Sequence, residues 1–390
     1  MEVTDVKYKV SEIGAIPVDW EVVPLGNATI KIGSGITPTG GARVYKDSGR
    51  VFLRSQNIGL GKLLLNDVAY IDEETHQTFQ STEIQDEDVF LNITGASIGR
   101  SAVATFLVVK GNVNQHVCIV RTKHDVLNPY FLNYFLLSHF GKKQIDSFQA
   151  GGNRQGLNFG QIESFRIPIT SLSEQTAIAT ALSDTDALIE NLEKLIAKKR
   201  NIKQGVMQEL LKPKPEWKKQ KLGELLDYEQ PTKYLVKDSE YNDNNLIPVL
   251  TAGKTFILGY TDEDFGIYEN LPVIIFDDFT TATKFVTFPF KVKSSAMKML
   301  KAKNKEVNLR LIYEIMQTVH FPLSDHKRYW ISEYQNIEVK VPSPPDQEII
   351  SQILSDMDLD IDSLGKKLKK YKLVKQGMMQ ALLTGKIRLV

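Results

Sequence analysis

The segment Asn92-Ile93-Thr94-Gly95-Ala96-Ser97-Ile98-Gly99-Arg100 sets hydrogen-bonding side chains between glycines. Glycines let a backbone approach a flat or charged surface closely. Asn92, Thr94, Ser97 and Arg100 supply groups that suit base edges and phosphate oxygens. A second segment, Gly151-Gly152-Asn153-Arg154-Gln155-Gly156-Leu157-Asn158, carries the side chains with the best-defined base geometry. Arg154 can bridge guanine O6 and N7, while Asn153, Gln155 or Asn158 can bridge adenine N6 and N7. Each such pair is worth about 1–3 kcal/mol of discrimination. A third stretch lies in the C-terminal half. It is Phe279-Thr280-Thr281-Ala282-Thr283-Lys284, with Lys327-Arg328-Tyr329 beyond it and Lys254 before it. Taken singly, each segment also suits an ordinary polar loop.

No complete catalytic motif accompanies them. Gly253-Lys254-Thr255 ends like a phosphate loop, but Pro248 stands where the first glycine belongs. Gly33-x-Gly35 is followed by Pro38 where a dinucleotide fingerprint needs glycine, so a turn is the better reading. Asp358, Asp360 and Asp362 have calcium-loop spacing, yet Ser363 replaces the glycine and Lys369 the closing glutamate; a solvated helix face fits better. Asn128-Pro129-Tyr130-Phe131 lacks the second proline of an aminomethyltransferase loop and suits a helix cap. Asp277-Asp278 has no lysine-bearing carboxylate motif behind it and is expected at the surface or as a cap. The six histidines show no metal spacing. The single cysteine, Cys118, excludes a disulfide framework and reads as a small buried residue. The expectation is a binding device with no catalytic residue, no metal and no cofactor of its own.

The elements that must hold these segments follow from length and pattern. A chain of 390 residues suggests two or three domains. Hydrophobic residues at 42% and charged residues at 24% give enough apolar material for packed cores, which excludes wholesale disorder. Lys plus Arg total 48 and Asp plus Glu 47, so any nucleic-acid face must come from local sorting of charge. No apolar run approaches the roughly 20 residues that cross a bilayer. MEVTDVKYKV lacks the apolar core of a signal peptide, so a soluble, cytoplasmic protein with no membrane partner is expected.

The clearest pattern is an internal repeat. Residues 175–211 and 347–383 align without a gap at an offset of 172, with 17 identities over 37 positions. Trp20, Leu25 and Gly26 match Trp217, Leu222 and Gly223 at an offset of 197. Within the repeat, Leu182, Ile189 and Ile196 share one heptad position, with Leu192 and Val206 on the other. The second copy places Leu354, Ile361 and Leu368 on one position, with Leu364 and Met378 on the other. With Met207 and Met379 these form the stripe assigned to partner-binding helices. Leu188, Leu195 and Ile202 widen it, which suggests burial against more than one helix. Pro168 and Pro213 bracket the first copy, while Pro342, Pro344 and Pro345 precede the second and Gly385 closes it, predicting helices of about 35–40 residues. Two such helices separated by a domain most simply pair antiparallel, giving a coiled coil and pseudo-two-fold symmetry. Short β-rich runs, such as Val89–Ile93 and Val273–Phe276, alternate with amphipathic stretches at Tyr130–Phe148 and Leu309–Thr318. The fold class expected is α+β. The segments are residues 1–171, 172–212, 213–343 and 344–390. Ten basic residues between Lys194 and Lys221 suit either a solvated face or an anionic partner.

These landmarks, in this order, resemble the specificity (S) subunit of type I restriction–modification systems over almost the whole chain. They are Trp20 with Pro24-Leu25-Gly26; Gly33-x-Gly35-x-Thr37-Pro38; Thr94 to Arg100; Asn114-Gln115-His116; Phe165-x-Ile167-Pro168 with Glu174-Gln175; and Leu382 to Arg388. The resemblance implies two target recognition domains alternating with two conserved helical regions. It adds Thr37, Asn114 and Gln115 to the candidate DNA contacts. It also implies double-stranded DNA, two modification subunits and restriction subunits as partners. S-adenosylmethionine, ATP and Mg would then sit on those partners. In the second domain Tyr228–Lys233 lacks the GxGxTP turn, and no copy of Thr94–Arg100 is evident. A two-domain coiled-coil scaffold for proteins is the alternative, and salt-dependent DNA affinity separates the two.

Overall fold

The computed structural model describes residues 7–149, 156–238, 240–251, 255–322 and 328–389. Asn153, Arg154, Gln155, Lys254 and Lys327 lie outside these. The chain divides into two compact units: residues 1–193 with 367–390, and residues 194–366.

The first unit centres on a four-stranded antiparallel sheet. Its strands are β1 (Thr29–Ser34), β2 (Val89–Asn92), β3 (Ser101–Val103) and β4 (Val117–Thr122), in the order β1-β4-β2-β3. Val89-Phe90-Leu91 is buried throughout, so the run is continuously apolar, as a strand covered on both faces requires. Helix α1 (Pro129–Leu137) follows. Asn128 caps it as expected, its Oδ1 accepting from the Tyr130 and Phe131 amides, with Pro129 in the first turn. The amphipathic stretch expected at Tyr130–Phe148 is two helices, not one. Ser138 ends α1 and caps His139–Ser147, its hydroxyl accepting from the Gly141 amide.

The second unit repeats this wiring. Strands β5 (Leu226–Glu229), β6 (Val273–Asp277), β7 (Thr283–Val286) and β8 (Met297–Ala302) pair in the order β5-β8-β6-β7, and helix α2 (Leu309–Gln317) follows. Each unit also has a three-stranded sheet with one antiparallel and one parallel pairing, built on Arg50–Leu53 and Ile247–Leu250. The α+β class expected from the sequence holds in both.

The repeated segments are two helices of 39 residues, Leu172–Leu210 and Pro344–Leu382. In the first unit Asp186 pairs with Lys375 and Glu193 with Lys372, both at 2.6 Å. In the second, Lys203 pairs with Asp358 at 2.5 Å and Lys199 with Asp360. One index falls as the other rises, so the two helices run antiparallel within each unit. At the repeat offset, Asp186–Lys375 and Lys203–Asp358 are one interaction made twice. Lys199 and Lys203, two of the ten basic residues between Lys194 and Lys221, are therefore spent on the neighbour helix.

Each long helix is fastened to its unit by a buried glutamine. Gln175 accepts from the Asn128 amide at 2.8 Å and donates to the Val126 and Thr170 carbonyls. Gln347 accepts from the Asn308 amide at 2.9 Å and donates to the Pro342 carbonyl. Both therefore hold a helix-capping asparagine, since Asn308 accepts from the Leu311 amide at the start of α2. Replacing Gln347 by Ala leaves these groups unpaired in a buried place. A loss of about 1–3 kcal/mol is expected, read as faster amide exchange across Asn308–Gln317.

The cores show the same duplication. Leu182 and Leu354 are both fully buried, the first with Trp20, Phe131 and Leu382, the second with Phe276, Ile312 and Leu211. Cys118 is buried in the first core, where lost hydration pushes its thiol up to about 12. In the first unit the half-buried Arg388 also closes a node between the buried Glu174 and the exposed Asp19. It donates to Glu174 at 2.7 Å and to Asp19 at 3.1 and 2.9 Å, and it lies over the Trp20 ring.

Candidate nucleic-acid interface

The loop after β2 is shaped by its glycines. Gly95 and Gly99 have φ of +71° and +81°, a region that side chains rarely adopt, so the tight Gly95–Ser97 turn needs them. Asn92 does not reach the surface. It is fully buried, and its Nδ2 donates to the Ser55 carbonyl at 2.8 Å and the Ser97 hydroxyl at 3.1 Å. This corrects its assignment as a contact: Asn92 holds Ser97 in place from beneath. Thr94 is half-buried, its hydroxyl 2.7 Å from His116 Nδ1. Arg100 is exposed.

Two further segments come to this loop. The Ile93 amide donates to the His116 carbonyl, and Asn114 accepts from the His116 amide at 3.1 Å, so Asn114 shapes the turn that leaves Gln115 outward. Thr94 bridges to Gly156, and the Leu157 amide donates to the Ile93 carbonyl at 2.9 Å. The described end of the Gly151–Asn158 segment therefore lies against the Thr94 loop. Asn158 itself is spent on a capping box with Gln161 at the start of Phe159–Glu163. Thr37 is placed elsewhere, in a groove lined also by Thr39, Asp72 and Glu74, an acidic setting that does not suit a phosphate.

The second unit has a counterpart that the sequence did not show. In the strand registers, Asn92 faces Val117 and Asp277 faces Met297, so the ends of β2 and β6 are matched positions. The loop after β6 is shorter. The Thr281 amide donates to the Asp277 carbonyl and the Asp277 amide to the Ala282 carbonyl, with Thr281 at φ +57°. The Asp277 carboxylate accepts from the Phe279 amide and the Thr280 hydroxyl, as Asn92 holds Ser97. Thr280 and Lys284 are exposed, and Thr283 is half-buried with its hydroxyl accepting from Gln317. Asp277 and Asp278 are 5% and 1% exposed, so the expected surface position is corrected, and Asp277 closes a turn rather than capping a helix. Arg328 is exposed and precedes Tyr329–Ser332. The Tyr329 amide donates to the Asp278 carbonyl, as Leu157 does to Ile93.

The stripe assigned to partner docking is also corrected. Leu182, Leu192, Ile196, Leu354 and Ile361 are buried within the chain. Ile189, Val206, Met207, Leu364, Leu368, Met378 and Met379 are half-buried, Val206 and Met207 against the second core and Met378 and Met379 against the first. The apolar side chains left outward are others: Leu188 and Leu373 in the first unit, Leu195, Ile202 and Leu359 in the second. Among the described residues no cluster of His, Cys, Asp and Glu could hold a metal, and no helix is long and apolar enough to cross a membrane.

The family model described as the type I restriction modification DNA specificity domain matches residues 17–199 and again 214–372. The chain belongs to that family. It is a specificity subunit of the type I restriction–modification kind, with two specificity domains. The "Type I restriction enzyme EcoR124I/EcoR124II specificity subunit" of Escherichia coli is 52% identical over 141 residues, a match spanning 35% of each chain. The "Putative type I restriction enzyme MjaX specificity subunit" of Methanocaldococcus jannaschii is 25% identical over 98% of this chain and 96% of that one. A solved S subunit of a type I restriction–modification system from M. genitalium shares the fold, with a TM-score of 0.66 and 16% identity over 97% of this chain and 99% of that one. The two family matches cover most of both units and most of each long helix. The duplicated wiring is thus the family's domain, present twice.

Proposed function

We propose that each unit reads one half of a split DNA site and that the long helices set the unread gap between halves. One observation carries this. The same end of the same sheet bears Ile93–Arg100 in one unit and Asp278–Ala282 in the other. Identical wiring with unlike loops is what two different half-sites require, and it makes the whole site asymmetric. Turns that leave Arg100 in one unit and Thr280 in the other exposed suit phosphate contacts, and Arg154 and Gln155, which precede Gly156 in the sequence, suit base edges.

The chain itself then carries no catalytic group. Two modification subunits would dock on the helices' outward apolar residues, such as Leu195 and Ile202, and hold the S-adenosylmethionine that methylates the site. Restriction subunits, using ATP and Mg, would add cleavage. Binding of the chain with its modification partner to DNA duplexes should fall steeply with salt and retain base-pair preference. Salt-insensitive association without base preference contradicts the proposal. Within this reading, Arg154→Ala should weaken the first half-site by about 1–3 kcal/mol and leave the second unchanged. Unchanged affinity for duplexes altered in that half removes Arg154 from the contact set.

A further inference from the structure

Beneath the second unit's loop lies a buried charge pair that the first unit does without. Lys298, on β8, is fully buried, and its ammonium is 3.2 Å from Asp278 Oδ2 and donates to Gln230 Oε1 at 2.8 Å. Asp278 is 1% exposed. Its Oδ1 accepts from the Trp330 amide at 2.8 Å and its carbonyl from the Tyr329 amide at 2.9 Å. The pair thus ties together three chain segments. They are the turn after β5 at Gln230, the loop after β6 at Asp278, and the helix start that follows Arg328.

The strand registers identify the first unit's equivalents. Lys298 faces Phe276 as Cys118 faces Leu91, and Cys118 faces Ser34 where Lys298 reaches Gln230. Asp278 follows Asp277 as Ile93 follows Asn92. The same architecture therefore folds with an isoleucine, a cysteine and a serine at these places. Taking two charges out of water costs desolvation that an apolar pair avoids, so the fold alone does not call for them. What the pair adds is direction: a charged hydrogen-bonding node admits one arrangement of the three segments, where apolar contacts tolerate several.

We propose that Asp278 and Lys298 are positioning residues for base reading by the second unit. They set Thr280 and Arg328 in register without touching DNA. This rests on the DNA-reading function proposed above. The test exchanges the pair for the first unit's residues, Asp278→Ile with Lys298→Cys, in the chain co-expressed with its modification subunit. Discrimination is then measured on synthetic duplexes altered one base pair at a time. The exchange should leave the unit folded, with a modest fall in melting temperature from the Trp330 amide left without its acceptor. It should cut discrimination about tenfold, within the range of one lost base contact, in the half-site that Arg154→Ala leaves intact. Unchanged discrimination, or equal loss in both halves, overturns the proposal. If the exchanged chain fails to fold, Asp278→Asn decides, because it keeps an acceptor for the Trp330 amide and removes the charge. Loss confined to one half supports the pair's role, and no loss overturns it. A wild-type complex with no base preference sinks the functional reading itself, whereas a split preference untouched by these variants sinks only the present inference.

Discussion

Arg388→Ala is expected to destabilise the first unit by about 3–5 kcal/mol, because it leaves a buried carboxylate without its cation. Glu174 has no solvent exposure. Burial alone would raise its pKa, but hydrogen bonds from Arg388, Thr170 and Trp20 outweigh this and hold the carboxyl below its ordinary value. Arg388 likewise holds Asp19 low, chiefly by direct hydrogen bonding. Both carboxyls are depressed in the folded state, so their stabilisation is present above their unfolded values, 4.5 and 3.8. It fades as pH falls below those values and is lost once the folded values are passed. In the variant, amide exchange across Ile16–Ala28 should accelerate, and the acid sensitivity of that protection should shrink. Arg388→Lys should recover only part, since an ammonium cannot make the two-pronged contact. Exchange unchanged by Arg388→Ala would show that the node carries no stability.

Lengthening the helices should change the spacing of the recognised site. Four residues added after Glu193 and four after Lys366 fall where the two compact units divide. Four residues add about 6 Å of helix, or one to two base-pair steps at roughly 3.4 Å. Methylation of the native site should be lost, and a site with the same half-sites and a wider gap should replace it. An unchanged gap would mean that something other than helix length spaces the two readers.

The long helices were legible because their signals are local. Heptad spacing, bracketing prolines and a gapless repeat predicted two helices of the observed length. The antiparallel pairing followed from the chain having to return. Gly95 and Gly99 were legible for the same reason, since a tight turn advertises its glycines. What failed depends on distant residues. Asn92 reads as a contact until Ser55 and Ser97 are seen to occupy its amide. Asp277-Asp278 reads as surface until β8 brings Lys298 beneath it. One signal was available: Lys298 is a lone charge in the apolar run Ala296-Met297-Lys298-Met299-Leu300. The partner stripe failed for a related reason. Periodicity marks the positions that are buried and does not say by what, so residues that face inward read as facing a partner. The second unit's loop stayed hidden because its length differs from the first, although strand register places the two at the same point.

In the proposed function two unlike readers share one chain and act on one split site. Co-expression with the neighbouring modification subunit, followed by genome-wide mapping of methyladenine, tests it most directly. A single bipartite motif with unlike halves separated by a fixed number of unspecified base pairs is expected. A continuous motif, two identical halves, or no methylation motif would contradict it.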